Sequence, residues 1–197
     1  MSEVMTKDQK NAFTSIIEKN KNYSESFNHD NLSAKPSKSI AVLTCMDTRI
    51  NVEKICGLES GEAHILRNAG GRVTDDAIRS FIISYKLLGT KDWFVIQHTD
   101  CGLSKITDKK MANLLEDNLE TATFENGDWK SNKNHNSESG SPFGHQIKWH
   151  TFSDIKKSIL EDVRKLKKHP LTPSHINVYG LIYDVKTGIL ETPENLI

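Results

Sequence analysis

The chain has 197 residues, enough to bury a substantial core in one domain without help from disulfides. Lys plus Arg and Asp plus Glu both number 26, so no global field favours nucleic acid or an anionic membrane. No apolar run approaches the length of a membrane span, and the polar start MSEVMTKDQK lacks an apolar signal core, which together predict a cytoplasmic protein. The three cysteines are an odd, sparse set, a poor disulfide framework but available as free thiols for a metal.

In chain order, the first 35 or so residues read as an amphipathic helical arm, with Phe13, Ile16 and Ile17 at helical spacing, followed by a polar linker broken at Pro36. Ile40-Ala41-Val42-Leu43 is a short continuous apolar run, as expected for a strand buried on both faces. It leads into Thr44-Cys45-Met46-Asp47-Thr48-Arg49, so polar chemistry sits at the carboxyl end of a strand, where open α/β sheets bind ligands. A second strand is expected at 63–66, running into the turn Arg67-Asn68-Ala69-Gly70-Gly71. A helix is expected from Asp75 to Leu88, stopped at Gly89, with Ile78, Phe81, Ile82 and Tyr85 on its apolar face.

The third strand, Trp93 to Ile96, runs into Gln97-His98-Thr99-Asp100-Cys101-Gly102. Residues from about 120 to 150 are polar, rich in Gly, Ser and Asn, and without periodicity, which predicts a long flexible loop within one domain spanning 1–197. A helix from Phe152 to Leu166 follows, with Ser153 as its expected cap and Ile155, Ile159, Val163 and Leu166 as its stripe. A late strand at 176–184 turns through Asp184 to Gly188 into a short final strand.

The class expected is α/β, a mostly parallel central sheet flanked by helices. In such a sheet the strands ending at Cys45 and His98 deliver their polar residues to the same edge. His98 and Cys101, three apart, can reach one tetrahedral ion, and Cys45 can add a third ligand; a core cysteine beside a surface histidine is the plain alternative. Two thiolates and one imidazole suit zinc, and three protein ligands leave a fourth position open for chemistry. Asp47 and Arg49 put a charged pair beside the Cys45 thiol, which a structural core does not need.

The motifs Cys-Met-Asp-Thr-Arg at 45–49 and His-Thr-Asp-Cys-Gly at 98–102, in that order, resemble the β-class carbonic anhydrases over roughly residues 38 to 105. The segment from Tyr179 to Val185 is similar to a smaller branch that includes carbonyl sulfide and carbon disulfide hydrolases. That resemblance implies a β-carbonic-anhydrase-like fold and one Zn2+ per subunit on Cys45, His98 and Cys101. It implies Asp47 and Arg49 as the catalytic dyad, and hydration of carbon dioxide to bicarbonate by a zinc-bound hydroxide. It also implies a homodimer or tetramer, with the amino-terminal helix packing across to a partner.

The alternative substrate is carbonyl sulfide or carbon disulfide at the same site, and a non-catalytic zinc module is the third reading. Asn68, Gly70 and Gly102 are the candidate substrate-binding positions, with a simple tight turn as the alternative at 68–71. Asp100 departs from the family's usual small residue and reads either as a turn-capping carboxylate or as an active acid. Cys56 reads as a buried apolar thiol and His64 as a packed side chain. His135, His145 and His150 read as solvent-facing, with a proton shuttle as the alternative for one of them.

Overall fold

The computed structural model describes residues 7–132 and 138–194. It divides into two units, Met1–Ser33 and Ala34–Ile197. The first is built on helix α1, Lys7–Glu25, which carries Phe13, Ile16 and Ile17 exposed along it.

The second unit holds a five-stranded sheet in the order β2-β1-β3-β6-β7. Strands β1 (Ile40–Cys45), β2 (Ala63–Asn68), β3 (Asp92–His98) and β6 (Asn177–Tyr183) run parallel, and only the short β7 (Leu190–Glu191) is antiparallel, across the turn after Tyr183. This is the mostly parallel α/β architecture that the alternation of apolar runs and helical stripes predicts. Strand alternation sorts the core into two layers. Trp93 and Val95 of β3 and Val178 and Ile182 of β6 face helices α3 (Asp75–Leu88) and α5 (Ile155–Lys167), where Phe81, Ile159, Val163 and Leu166 are almost fully buried. On the other face, Val42 and Ile96 pack with Ile50, Val52 and Leu58, around the short helix α2 (Val52–Cys56).

Helix ends follow local chemistry. Thr74 caps α3 by accepting from the Ala77 N–H, and Gly89 closes it in the left-handed conformation. The cap of α5 is Asp154, whose side chain accepts from the Lys157 N–H at 3.1 Å, one residue beyond the expected Ser153. A carboxylate at that position also meets the positive end of the helix dipole.

The stretch from 120 to 150, expected to be one long loop, holds a hairpin. Strands β4 (Thr123–Glu125) and β5 (Asp128–Lys130) pair antiparallel around Asn126-Gly127, both at positive φ, with Phe124 against Trp129 at 5.2 Å between ring centroids. Asn-Gly is the residue pair a two-residue hairpin turn favours. Helix α4 (Asp108–Asp117), which precedes the hairpin, anchors the return of the chain. The Asp108 carboxylate accepts from Trp149 N, Thr151 N and Thr151 Oγ1, and a 3-10 turn at Pro142–Gln146 packs beside α4. Among the described residues no helix is long and apolar enough to cross a membrane.

Candidate metal centre

Strands β1 and β3 are hydrogen-bonded neighbours, so their carboxyl ends lie side by side. Thr44, one residue before Cys45, donates its hydroxyl to the Ile96 carbonyl at 2.9 Å and fixes the two ends against each other. The Cys45 and Cys101 sulfurs and a His98 ring nitrogen lie within 4.8 Å of one another, all three residues buried, forming a cluster that could hold a metal ion.

The chemistry of the donors fits a metal. His98 Nδ1 is 2.9 Å from the Thr99 carbonyl, which can only accept, so Nδ1 carries the proton and Nε2 keeps its lone pair. That Nε2 is buried and has no hydrogen-bond partner among the described residues. An imidazole held at one nitrogen by a backbone carbonyl and bare at the other is the arrangement of a metal-ligating histidine. An orphaned buried nitrogen is otherwise costly. The Cys45 thiol is pushed well below its ordinary value by the hydrogen bond from Cys101, against its burial, with help from the backbone N–H groups of Asp47 and Gly70. Cys101, the donor of that bond and also buried, is pushed up. Gly70 N lies 3.3 Å from the Cys45 sulfur, a contact that favours thiolate.

Asp47 leans over the cluster, with Oδ2 3.9 Å from His98 Nε2. Arg49 grips it side-on, Nε to Oδ1 at 3.0 Å and Nη2 to Oδ2 at 2.8 Å, and the Arg49 backbone N–H adds a bond to Oδ1 at 2.9 Å. The guanidinium holds the Asp47 carboxyl far below the usual carboxylate range. Arg67 braces the loop from beneath, donating to the carbonyls of Cys45 at 3.0 Å and Asp47 at 2.7 Å. Its position at the end of β2, opposite Thr44 in register, explains that reach. Asp100 also meets Arg49, a contact its place in sequence does not disclose.

A cavity of about 700 Å3 opens onto these groups. Cys45, Asp47, Arg49 and Cys101 line it together with the apolar side chains of Met46, Leu103, Ile106, Met111, Leu114 and Trp129. Gly70 and Gly102 line it; Asn68 is not among its lining residues. The Asn68 carboxamide instead clasps the turn that follows, accepting from Arg72 N and donating to Arg72 O, both at 2.8 Å. The walls contributed by α4 and the β4–β5 hairpin are absent from the sequence-based site, because no motif marks them.

The other singled-out residues lie apart from the cluster. Cys56 is half-buried and its thiol is pushed up by burial and by Glu53. His64 is held by Ser84 Oγ and the Ala34 carbonyl. His145 is exposed and pairs with Glu116 at 2.9 Å, whereas His150 is half-buried rather than solvent-facing, because Arg72 draws its carbonyl inward. His135 lies outside the described residues.

Comparison with known proteins bears on this geometry. Residues 40–190 match the family model for carbonic anhydrase. β-Carbonic anhydrase 1 of Mycobacterium tuberculosis is 33% identical over 157 residues, 79% of this chain and 82% of that protein. Carbon disulfide hydrolase of an Acidianus strain is 34% identical over 168 residues, 82% of this chain and 80% of that protein. The crystal structure of carbonic anhydrase from Streptococcus mutans superposes with a TM-score of 0.74 at 37% identity, covering 98% of this chain and all of that one. A parallel sheet with a Cys-His-Cys cluster at its carboxyl edge is thus the class of structure concerned. The chain belongs to the β-carbonic anhydrase family.

Proposed function

We propose that the protein is a zinc-dependent carbonic anhydrase that hydrates carbon dioxide to bicarbonate. The observation that carries the reading is the Asp47 carboxylate, fixed by Arg49 at 3.9 Å from the bare His98 nitrogen. Cys45, His98 and Cys101 would hold the zinc, the donor set of an open, catalytic site. Zinc bound there supplies Lewis acidity that brings the ionisation of water down to about pH 7.

The chain's own residues do the rest. Asp47 stays ionised because Arg49 faces it, so it acts as a hydrogen-bond acceptor that orients the attacking water and does not store the released proton. Arg49 keeps that acceptor aimed. The apolar walls admit a small neutral gas, displace competing water and offer no partner that would retain the anionic product. Residues 1–35 serve as an arm toward a second copy of the chain, for which the exposed Phe13, Ile16 and Ile17 of α1 supply apolar surface.

Hydrolysis of carbonyl sulfide or carbon disulfide is the second reading, favoured by the apolar cavity and the Acidianus relative. One experiment ranks the two. On a single zinc-loaded preparation, kcat/KM is measured for carbon dioxide hydration by stopped flow and for sulfide release from each sulfur gas. Negligible hydration beside efficient sulfide release would reverse the order.

A further inference from the structure

Arg49 has two sides. One grips Asp47; the other is taken by Asp100, with Nη1 2.9 Å from Oδ2 and Nη2 3.1 Å from the Asp100 carbonyl. Asp100 is fixed in turn: Lys105 Nζ lies 2.5 Å from its other carboxylate oxygen, and its backbone sits at φ 56°, a left-handed conformation that Asp and Asn tolerate better than most residues. Asp47, Arg49, Asp100 and Lys105 therefore form a row of alternating charge. Asp100 also stands between His98 and Cys101, so the turn that presents two metal-capable donors presents the second carboxylate to Arg49.

We infer that Asp100 is a positioning residue for the reaction: by occupying the outer side of Arg49 it holds that guanidinium, and through it the Asp47 carboxylate, in register with the metal centre. The inference rests on the proposed role of Asp47 and Arg49.

The side chains of Arg49, Asp100 and Lys105 are each about two-fifths exposed, at 43%, 42% and 42%. Ion pairs this open contribute little to stability. What Asp100 adds is therefore geometric. A long, solvent-accessible arginine with one partner samples several rotamers, while one held from two sides keeps a single orientation. Lys105 completes the device by neutralising the second carboxylate, so that Arg49 remains an undivided counter-charge for Asp47.

The test uses the zinc-loaded full chain. Asp100→Asn retains the left-handed backbone and the carbonyl acceptor while removing the charge on the outer side of Arg49. It should keep its zinc and its Tm, leave KM unchanged and lower kcat roughly 10-fold. Lys105→Met should lower kcat by about threefold. Introduced into Arg49→Ala, Asp100→Asn should cause no further fall, because its effect passes through Arg49. Cobalt-substituted protein gives a readout besides turnover: the visible spectrum of Asp100→Asn should move toward that of Arg49→Ala. Wild-type kcat in Asp100→Asn beside an impaired Arg49→Ala overturns the inference and leaves the proposed function intact. An equal fall in both backgrounds also overturns it, since Asp100 would then act elsewhere. If Arg49→Ala is itself fully active, the role of the Asp47–Arg49 pair fails and the inference fails with it.

Discussion

Gly71 and Cys45 approach so closely that a Cβ on the glycine would stand 3.0 Å from the cysteine backbone nitrogen. The same Cβ would meet the Ile96 carbonyl oxygen and the Thr44 carbonyl carbon at 3.0 Å, and Gly71 has φ 61°. The turn after β2 therefore lies directly against the ends of β1 and β3, where the metal-capable residues sit. All three obstacles are backbone atoms, so no side-chain rotation relieves them.

Gly71→Ala should accordingly act on both the fold and the site. We expect a loss of about 2–4 kcal/mol in denaturant unfolding, from crowding combined with the positive φ. The displaced Cys45 should also weaken metal affinity, measured by competition with a chelator. Unchanged unfolding and unchanged metal affinity would mean that the β1 and β3 ends yield more easily than packed backbone should.

Metal should be separable from the dyad by mutation. Cys45→Ala and His98→Ala should each lose zinc and unfold at lower temperature, because the site couples metal binding to folding. The buried His98 Nε2 points the same way: without an ion it has no partner among the described residues. Chelation of the wild-type protein should lower Tm, and added zinc should restore it. Cys56→Ala is the control and should retain full metal, since Cys56 is outside the cluster. Full zinc in purified Cys45→Ala would refute the ligand assignment.

Asp108 gives a stability prediction with a definite pH signature. Burial pushes its carboxyl up, but donors from Thr151 and Trp149 outweigh this and leave it below its ordinary value. A carboxyl lowered in the fold stabilises at pH above its unfolded value of about 3.9, and that contribution is lost as pH falls through the folded value. Asp108→Asn, which weakens these acceptor bonds, should cost about 1–2 kcal/mol at neutral pH. The gap from wild type should be level from pH 5 to 8 and close below about pH 4. A gap that widened in acid would contradict the hydrogen-bonded carboxylate.

Much of this architecture is legible in the chain because parallel strands reduce the problem to one dimension. The apolar runs ending at Cys45 and His98 lie on neighbouring strands, and parallel pairing brings their ends to one edge without knowledge of the loops between. The β4–β5 hairpin escapes a periodicity search for the opposite reason: each strand has three residues, largely exposed, with no buried face to create alternation. Its one local signal is Asn126-Gly127. The Arg49–Asp100 contact joins residues 51 apart and depends on the left-handed backbone at Asp100, which the sequence permits but does not specify. Arg67 is visible as part of a motif, yet its service to the carbonyls of Cys45 and Asp47 emerges only with the register of β2 on β1.

The hairpin also bears on substrate choice. Trp129 of β5 lines the cavity together with Met111 and Leu114 of α4, Asp47 and the two cysteines. A cavity of about 700 Å3 is much larger than carbon dioxide or carbonyl sulfide, so size alone does not exclude either gas. We expect contact with the apolar lining to separate them. Carbonyl sulfide is longer and more polarisable at sulfur, and therefore gains more dispersion energy from an indole face than carbon dioxide does. Trp129→Ala removes that face without touching the metal cluster or Asp47. It should lower kcat/KM for carbonyl sulfide more than for carbon dioxide, shifting the ratio by about 10-fold, near the lower end of what one apolar contact contributes to selectivity. Trp129→Phe should shift the ratio less. Equal changes for both gases would remove the hairpin from the account of specificity.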